Sequence, residues 1–510
     1  MSRTSLPRLS PAVSIVAASL LALHLLTTSG YGYFRDELYY LACGEHLGLG
    51  YVDHPPLVGF VAAAVRSTLG TSLFALRLLP ALVFAAAVVC TGALARELGG
   101  GSMAQALASL AVALAPVYLA LGSVFSMNPF DVLLWVVGFL VLIRLLRGGD
   151  ARLWLVFGLV AGLGLLNKIS VLFLGFGVAV GVVAGRRFDV LRSRWPWLGG
   201  ALAALLFLPH VVWQVQHGWP TLEFMERAQA FKNVAFAPGD FLFEQVLQMG
   251  PASLPVWLLG WLWLLLGRDA RDVRPLGWVH AAVLGIMLAT ASKPYYLAPA
   301  YTMLYAAGGT AIERWTARAR AKTPIRVALF GIVALGGLLL APLAKPLLPV
   351  ETYVRYAAAI GIKGAPEERH EMGRLPQFYA DMHGWRELAR TVAAVASRLP
   401  PDERGRACIF GQNYGQAGAI DLFGPALGLG PAISAHNSYW LWGPGDCRGD
   451  VLIVLADNRE RLEELFEHVE LGAVFDCPDC MPYEDDKPIW IVRGLRVPLR
   501  ELWPQIKHFD

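Results

Sequence analysis

The chain has 510 residues, of which 56% are hydrophobic and only 16% charged, and its mean hydropathy is +0.49. An ordinary soluble enzyme carries about 25% charged residues, so composition excludes that class in favour of a polytopic α-helical membrane protein. The formal net charge of +4 is too small for this length to indicate a nucleic-acid partner.

A crossing needs roughly 20 apolar residues, fewer inside a bundle, and on that measure about eleven spans are expected. They fall near 11–29, 75–97, 103–122, 131–147, 152–166, 169–185, 195–212, 247–267, 276–292, 297–312 and 325–342. The first has no clear small-x-small cleavage site and is followed by a whole polytopic body, so it is read as a span and not as a cleaved leader. Lys and Arg should collect in cytoplasmic loops. With the N-terminus in the cytoplasm, Arg3, Arg8, Arg96, Arg144, Arg147, Arg152, "GRRFDVLRSRW", "GRDARDVR" and "ERWTARARAKTPIR" all fall on that side.

After the first span comes an outer loop, residues 30–74, holding "YGYFRDELYYLACGEHLGLGYVDHPPL". Asp36 and Glu37 stand at a membrane interface, where a lower dielectric raises carboxylate basicity and suits it to take a proton from a hydroxyl; the plainer reading is solvated loop acids. "YVDHPPLVGFVAAAVRSTLG" has the pattern of an amphipathic helix opening after Pro55 and Pro56. Asp131, after Pro129, is expected to open a span at the outer boundary, either as part of a site or as an acid stabilised by the helix dipole. Lys168, in "GLGLLNKISVLFLGFG", is flanked by apolar stretches and calls for a carboxylate or a phosphate, unless it snorkels to the interface.

Further along, "HGWPTLEFMERAQAFKNVAF" adds Glu223, Glu226, Arg227 and Lys232 to the outer side, and "ASKPYYLAPAY" adds Lys293, Tyr295 and Tyr296. The tyrosines also fit an aromatic belt. From about residue 345 the texture changes to "RACIFG", "DVLIVLAD", "LGAVFD" and "PIWIVRG", interleaved with helical patterns such as "RERLEELFEHV". The expected organisation is a transmembrane domain over 1–344 and an extracytoplasmic α/β domain over 345–510. Cys408, Cys447, Cys477 and Cys480 would then meet an oxidising compartment that favours disulfides, in any of three pairings; "CPDC" also fits half of a zinc site or a redox pair. No Walker loop, dinucleotide fingerprint, His-Glu-x-x-His or internal repeat is present.

The ionisable residues gather on one face of the membrane. A transporter or flippase of a lipid-linked or anionic substrate, the competing reading, would place them near the midplane. Cations for a phosphate and a carboxylate for a hydroxyl suit a membrane-anchored phospholipid substrate, and these groups are expected to meet in one crevice at the outer rim of the bilayer.

The ordered set "RDELYYLA", "HPPL", "GTSLFALRLLPAL", Asp131, "GLGLLNK" and "KPYYLAPAY" resembles glycosyltransferase family 39, the protein O-mannosyltransferase and lipid A aminoarabinose transferase relatives with the C-type membrane glycosyltransferase fold. The resemblance covers roughly the first 340 residues. The tail, with "NYGQAGAIDLFG" and "HNSYWLWGPG", looks like the extracytoplasmic domain of a bacterial branch of that family.

The resemblance implies an inverting transfer of a sugar from a polyprenyl-phosphate donor to a glycan, lipid or protein acceptor, at a bacterial inner membrane. It implies Asp36 as general base with Glu37 beside it, and Asp131 as a second acid near the acceptor or a metal. His54, Lys168, Lys293, Tyr296 and Arg227 are the implied partners of the donor phosphate. His54 stands where the family often has Lys, and a histidine is only partly protonated at neutral pH. No cofactor is required, although a divalent cation such as Mg or Mn could bind Asp36, Asp53 or Asp131.

Overall fold

The computed structural model describes residues 8–361 and 368–510. The chain folds as two compact units, one formed by 1–30, 76–212 and 235–353 and the other by 31–75, 213–234 and 354–510.

The first unit is helical. Every one of the expected spans falls on helix, and four helices, Leu73–Glu97, Met127–Leu146, Trp195–Gln216 and Lys322–Ala344, are each long and apolar enough to cross a membrane alone. Others are shorter, including Pro11–Leu26, Ser102–Leu114, Leu153–Asn167 and Val171–Ala184. Two expected spans are broken. The segment at 103–122 stops at Leu114 because Ala115 turns extended ahead of Pro116, which opens a second helix, Pro116–Leu121. The segment at 247–267 begins earlier, with Pro238–Met249, and bends by 89° where Gly250 takes a positive φ before Pro251. Small residues let helices close: a Cβ on Gly308 would strike the Val256 carbonyl, and one on Gly260 the Leu304 carbonyl.

The second unit contains a five-stranded sheet of β1 (Cys408–Gly411), β2 (Ala432–Ser434), β3 (Val451–Leu455), β4 (Phe466–Phe475) and β5 (Lys487–Leu495), in the order β2-β1-β3-β5-β4. β1 runs parallel to β2 and β3, and β5 is antiparallel to β3 and β4. β3 is apolar throughout because both of its faces are covered. Val451, Ile453 and Leu455 join one core with Ile409, Leu388 and Val392. Leu452 and Val454 point the other way, to Trp490, Val492 and Leu462. The helical pattern "RERLEELFEHV" holds only to Leu465, and its last residues begin β4, where Phe466 pairs with Leu495.

The acids of the outer segment are on a helix and not in a loop. Arg35–Glu45 is helical, and its residues Leu38, Tyr39, Ala42 and Cys43 enter the same core as the helices Trp385–Ser397 and Tyr414–Phe423. Its close approach to Tyr414–Phe423 depends on two glycines. A Cβ on Gly415 would lie 2.6 Å from Arg35 Cγ, and one on Gly418 would lie 3.0 Å from the Leu38 carbonyl carbon. The expected helix after Pro55 and Pro56 is present as Leu57–Leu69.

Candidate active site

In the second unit the carboxylate of Asp36 is the focus. It lies in the first turn of Arg35–Glu45, its side chain is 31% exposed, and the Arg35 Nε is 3.9 Å from Oδ1. The Tyr414 hydroxyl donates to the same oxygen at 2.9 Å. Arg35 is buried: it donates to the Tyr483 hydroxyl at 2.6 Å, approaches Asp381 at 3.8 Å, and its backbone N–H donates to the Asp381 carbonyl at 2.9 Å. Burial pushes the Asp381 carboxyl up to about 7, against the opposing pull of Arg35. Nearby, Glu484 accepts from Asn413 at 2.6 Å and Gln416 at 2.7 Å, and burial raises its carboxyl above the usual range.

Three residues in this unit take parts other than those expected. Glu37 is fully buried, and its Oε2 accepts the Phe34 backbone N–H at 2.9 Å, so the carboxylate closes the first turn of its own helix and does not face a substrate. His54 is fully buried among Tyr39, Tyr40 and Tyr51. Its Nδ1 donates to the Pro55 carbonyl at 2.8 Å, and its Nε2 lies 3.7 Å from Cys43 Sγ. With both ring nitrogens engaged internally, His54 packs the core and is not placed to meet a phosphate. Asp53 Oδ1 is 2.8 Å from the Tyr39 hydroxyl, which is also 2.7 Å from Ser438 Oγ. Arg227 ends the helix Pro220–Arg227, with its guanidinium 5.9 Å from the centre of the Phe231 ring.

Among the described residues, neither Asp36, Asp53 nor Asp131 belongs to a set of three His, Cys, Asp or Glu ligands able to hold a metal ion. Asp53 is instead engaged by the Tyr39 hydroxyl, and no step below runs through a metal. Two such sets form among the described residues, the largely exposed acids Asp476, Asp485 and Asp486 and the cluster His436, His508 and Asp510. However, His436 Nδ1 accepts the Tyr414 backbone N–H at 3.3 Å, which leaves the proton on Nε2, facing Asp510 at 3.1 Å. That tautomer makes a hydrogen bond to the carboxylate where a metal would need a bare nitrogen. The four tail cysteines form two disulfides, Cys408–Cys447 and Cys477–Cys480, so the "CPDC" sulfurs are bonded to one another and not available to zinc.

In the first unit, Met127–Leu146 is capped by Ser126, whose oxygen accepts the Asn128 N–H at 3.2 Å. That start puts Asp131 one turn inside the helix, not at its opening as expected. Asp131 is 2% exposed. Its Oδ2 accepts from Ser170 Oγ at 3.1 Å, and its Oδ1 is buried without a hydrogen-bond partner. Lys168 follows Leu153–Asn167 in extended conformation, before Val171–Ala184 begins. Its ammonium donates to Asn128 Oδ1 at 2.7 Å and sits 4.4 Å from the centre of the Tyr296 ring and 5.4 Å from that of Tyr295. Lys293 immediately precedes the single turn Pro294–Leu297 that carries both tyrosines. The first unit therefore brings Lys168 and Tyr296 together at helix breaks, and the second brings Asp36 to Tyr414 and Arg35.

Sequence reasoning missed Tyr414, Asp381, Asn128 and Ser170. Asn128 and Ser170 flank Asp131 and Lys168 closely enough to have been found; Tyr414 offered only the Asn-Tyr-Gly start of a tail motif.

Residues 53–213 match the profile of the dolichyl-phosphate-mannose-protein mannosyltransferase family. Over 273 residues, 52% of this chain, the sequence is 26% identical to the lipid A galacturonosyltransferase RgtD of Rhizobium johnstonii. The chain spans only 56% of that relative's length. ArnT from Cupriavidus metallidurans, in a crystal structure bound to undecaprenyl phosphate, superposes with a TM-score of 0.63 at 12% identity, covering 94% of this chain and 97% of that one. The apo state of the same protein gives a TM-score of 0.62 at 13% identity, again covering 94% of this chain and 97% of that one. These likenesses agree with the resemblance read from the sequence: the chain is similar to the glycosyltransferase family 39, ArnT-like group, and shares the ArnT fold of a polytopic membrane protein.

Proposed function

We propose that the protein is an inverting glycosyltransferase that moves a sugar from a polyprenyl-phosphate donor to an acceptor hydroxyl of an envelope glycan, lipid or protein outside the cytoplasm. The observation that carries this reading is Asp36: a partly exposed carboxylate with one oxygen held by the Tyr414 hydroxyl at 2.9 Å. Asp36 takes the acceptor proton as the acceptor oxygen bonds to the anomeric carbon. The bond from that carbon to the phosphate oxygen breaks from the opposite side, and the polyprenyl phosphate departs with both electrons. Base assistance of this kind is worth about 100- to 10,000-fold.

A phosphate monoester is already a good leaving group, so what it needs is stabilisation of its charge. In the first unit, Lys168 supplies that charge and Tyr296 a hydroxyl, with Lys293 as a further cation. Asp131 orients the sugar or acceptor through its unpartnered oxygen. The solved neighbour that holds undecaprenyl phosphate supports the donor class, and the relative named for lipid A supports an envelope acceptor. The 345–510 domain lies outside the cytoplasm, a reading supported by its two disulfides.

The reading is tested by offering the purified protein in lipid nanodiscs a panel of polyprenyl-phosphate sugars, and by mass spectrometry of envelope glycans and glycolipids from cells with and without the protein. A sugar missing from one glycan or glycolipid when the protein is absent, and transferred in vitro from its polyprenyl phosphate, is the expected result. No change in any glycan together with transport of an unmodified lipid carrier would overturn it.

A further inference from the structure

Tyr414 opens the helix Tyr414–Phe423 directly after Asn413, whose side-chain oxygen accepts the N–H groups of Gly415 and Gln416 at 2.9 and 3.0 Å. That cap fixes the first turn of the helix. The Tyr414 ring is held from three sides. Tyr39 stacks on it with centroids 4.6 Å apart and planes at 27°, the His436 ring lies 4.7 Å away, and the Arg35 guanidinium sits 5.3 Å above it. A buried phenol needs a hydrogen-bond partner to offset its lost water. Tyr414 is only 6% exposed, and it meets that need by donating to Asp36. Burial holds its phenol well above the ordinary tyrosine range, so it remains a donor at working pH.

We infer that Tyr414 is a positioning residue for sugar transfer, locking one oxygen of the Asp36 carboxylate so that the other is presented to the acceptor hydroxyl. The inference rests on the reading of Asp36 as the base. A carboxylate on a partly exposed helix turn otherwise samples several rotamers, and the freedom lost in reaching the reactive one adds to the barrier. Tyr414 removes that freedom before substrate arrives. The gain therefore falls on turnover and not on capture of the donor.

The test uses full-length protein in nanodiscs with whichever member of the polyprenyl-phosphate sugar panel supports transfer. Tyr414→Phe keeps the ring and its stacking. It should lower kcat about tenfold, the value of one hydrogen bond to a charged group, while the donor KM and the Kd for bare polyprenyl phosphate stay within about twofold. Should that variant fold poorly, 3,5-difluorotyrosine at position 414 preserves the shape with a more acidic phenol. Turnover should then match the wild type while the phenol is protonated and fall as it ionises at higher pH. Wild-type kcat in Tyr414→Phe, or kcat, KM and Tm all shifting together, would overturn the inference, as would a fluorinated variant insensitive to phenol ionisation. Asp36→Asn separates the two readings. If it is inactive while Tyr414→Phe is not impaired, only this inference fails; if it turns over normally, the base reading fails as well.

Discussion

The Lys168 ammonium lies 4.4 Å from the centre of the Tyr296 ring while donating to Asn128 Oδ1 at 2.7 Å. Both of these partners are neutral, so they orient the cation without themselves cancelling its charge, while the buried Asp131 carboxyl lies within electrostatic range of it. Lys168→Ala should therefore raise the Kd for polyprenyl phosphate roughly 10- to 100-fold, the loss of one charge-assisted contact. Titration of the purified protein with the lipid checks this; an unchanged Kd would remove Lys168 from the phosphate site.

Asp131 has one oxygen on Ser170 and the other buried without a partner. A buried, half-satisfied carboxylate in a membrane helix is costly to stability and is retained for function. Asp131→Asn should leave the melting temperature unchanged or raised, yet lower turnover at least about tenfold. Thermal denaturation and transfer rates measured on the same preparation test the pairing, and a variant that is less stable but fully active would refute it.

Burial raises the Asp381 carboxyl to about 7, whereas in an unfolded chain it titrates near about 3.9. Between those values the folded form holds a proton that the unfolded form has released. Stability is accordingly greatest below about 4 and declines as pH rises toward about 7. Asp381→Asn should remove that slope, seen as a flatter dependence of the thermal midpoint on pH across this window.

Gly418 permits the close approach of the helix Arg35–Glu45 to the helix that carries Tyr414. Gly418→Leu should cost about 1–3 kcal/mol through overpacking and depress transfer, because it moves the Tyr414 hydroxyl away from Asp36. Gly418→Ala should be milder in both respects. Paired denaturation and rate measurements would show the correlation, and full activity in the Leu variant would contradict it.

Hydropathy made the helical segments legible, including the two short helices on either side of Lys168, because long apolar runs carry their signal locally. It could not show the breaks at Ala115 and Gly250, where one Pro and one Gly-Pro pair interrupt otherwise uniform runs. The uniformly apolar β3 was visible as "DVLIVLAD", while β2, only three residues long, offered no pattern. Arg35–Glu45 reads as a loop because its mixed composition looks polar until Leu38, Tyr39 and Ala42 are seen to enter a core built from the tail. That long-range packing also explains His54 and Glu37: their motif positions suggested substrate contacts, but burial committed both to internal hydrogen bonds. Asp36 stood out in its motif, whereas Tyr414, which donates to it from 378 residues away, did not.

The most direct measurement compares Asp36→Asn with the wild type for sugar transfer and for binding of polyprenyl phosphate in the same nanodiscs. Transfer should fall at least about 100-fold with lipid affinity and melting temperature unchanged. Transfer at the wild-type rate, or a loss of transfer fully explained by lost lipid binding, would contradict it.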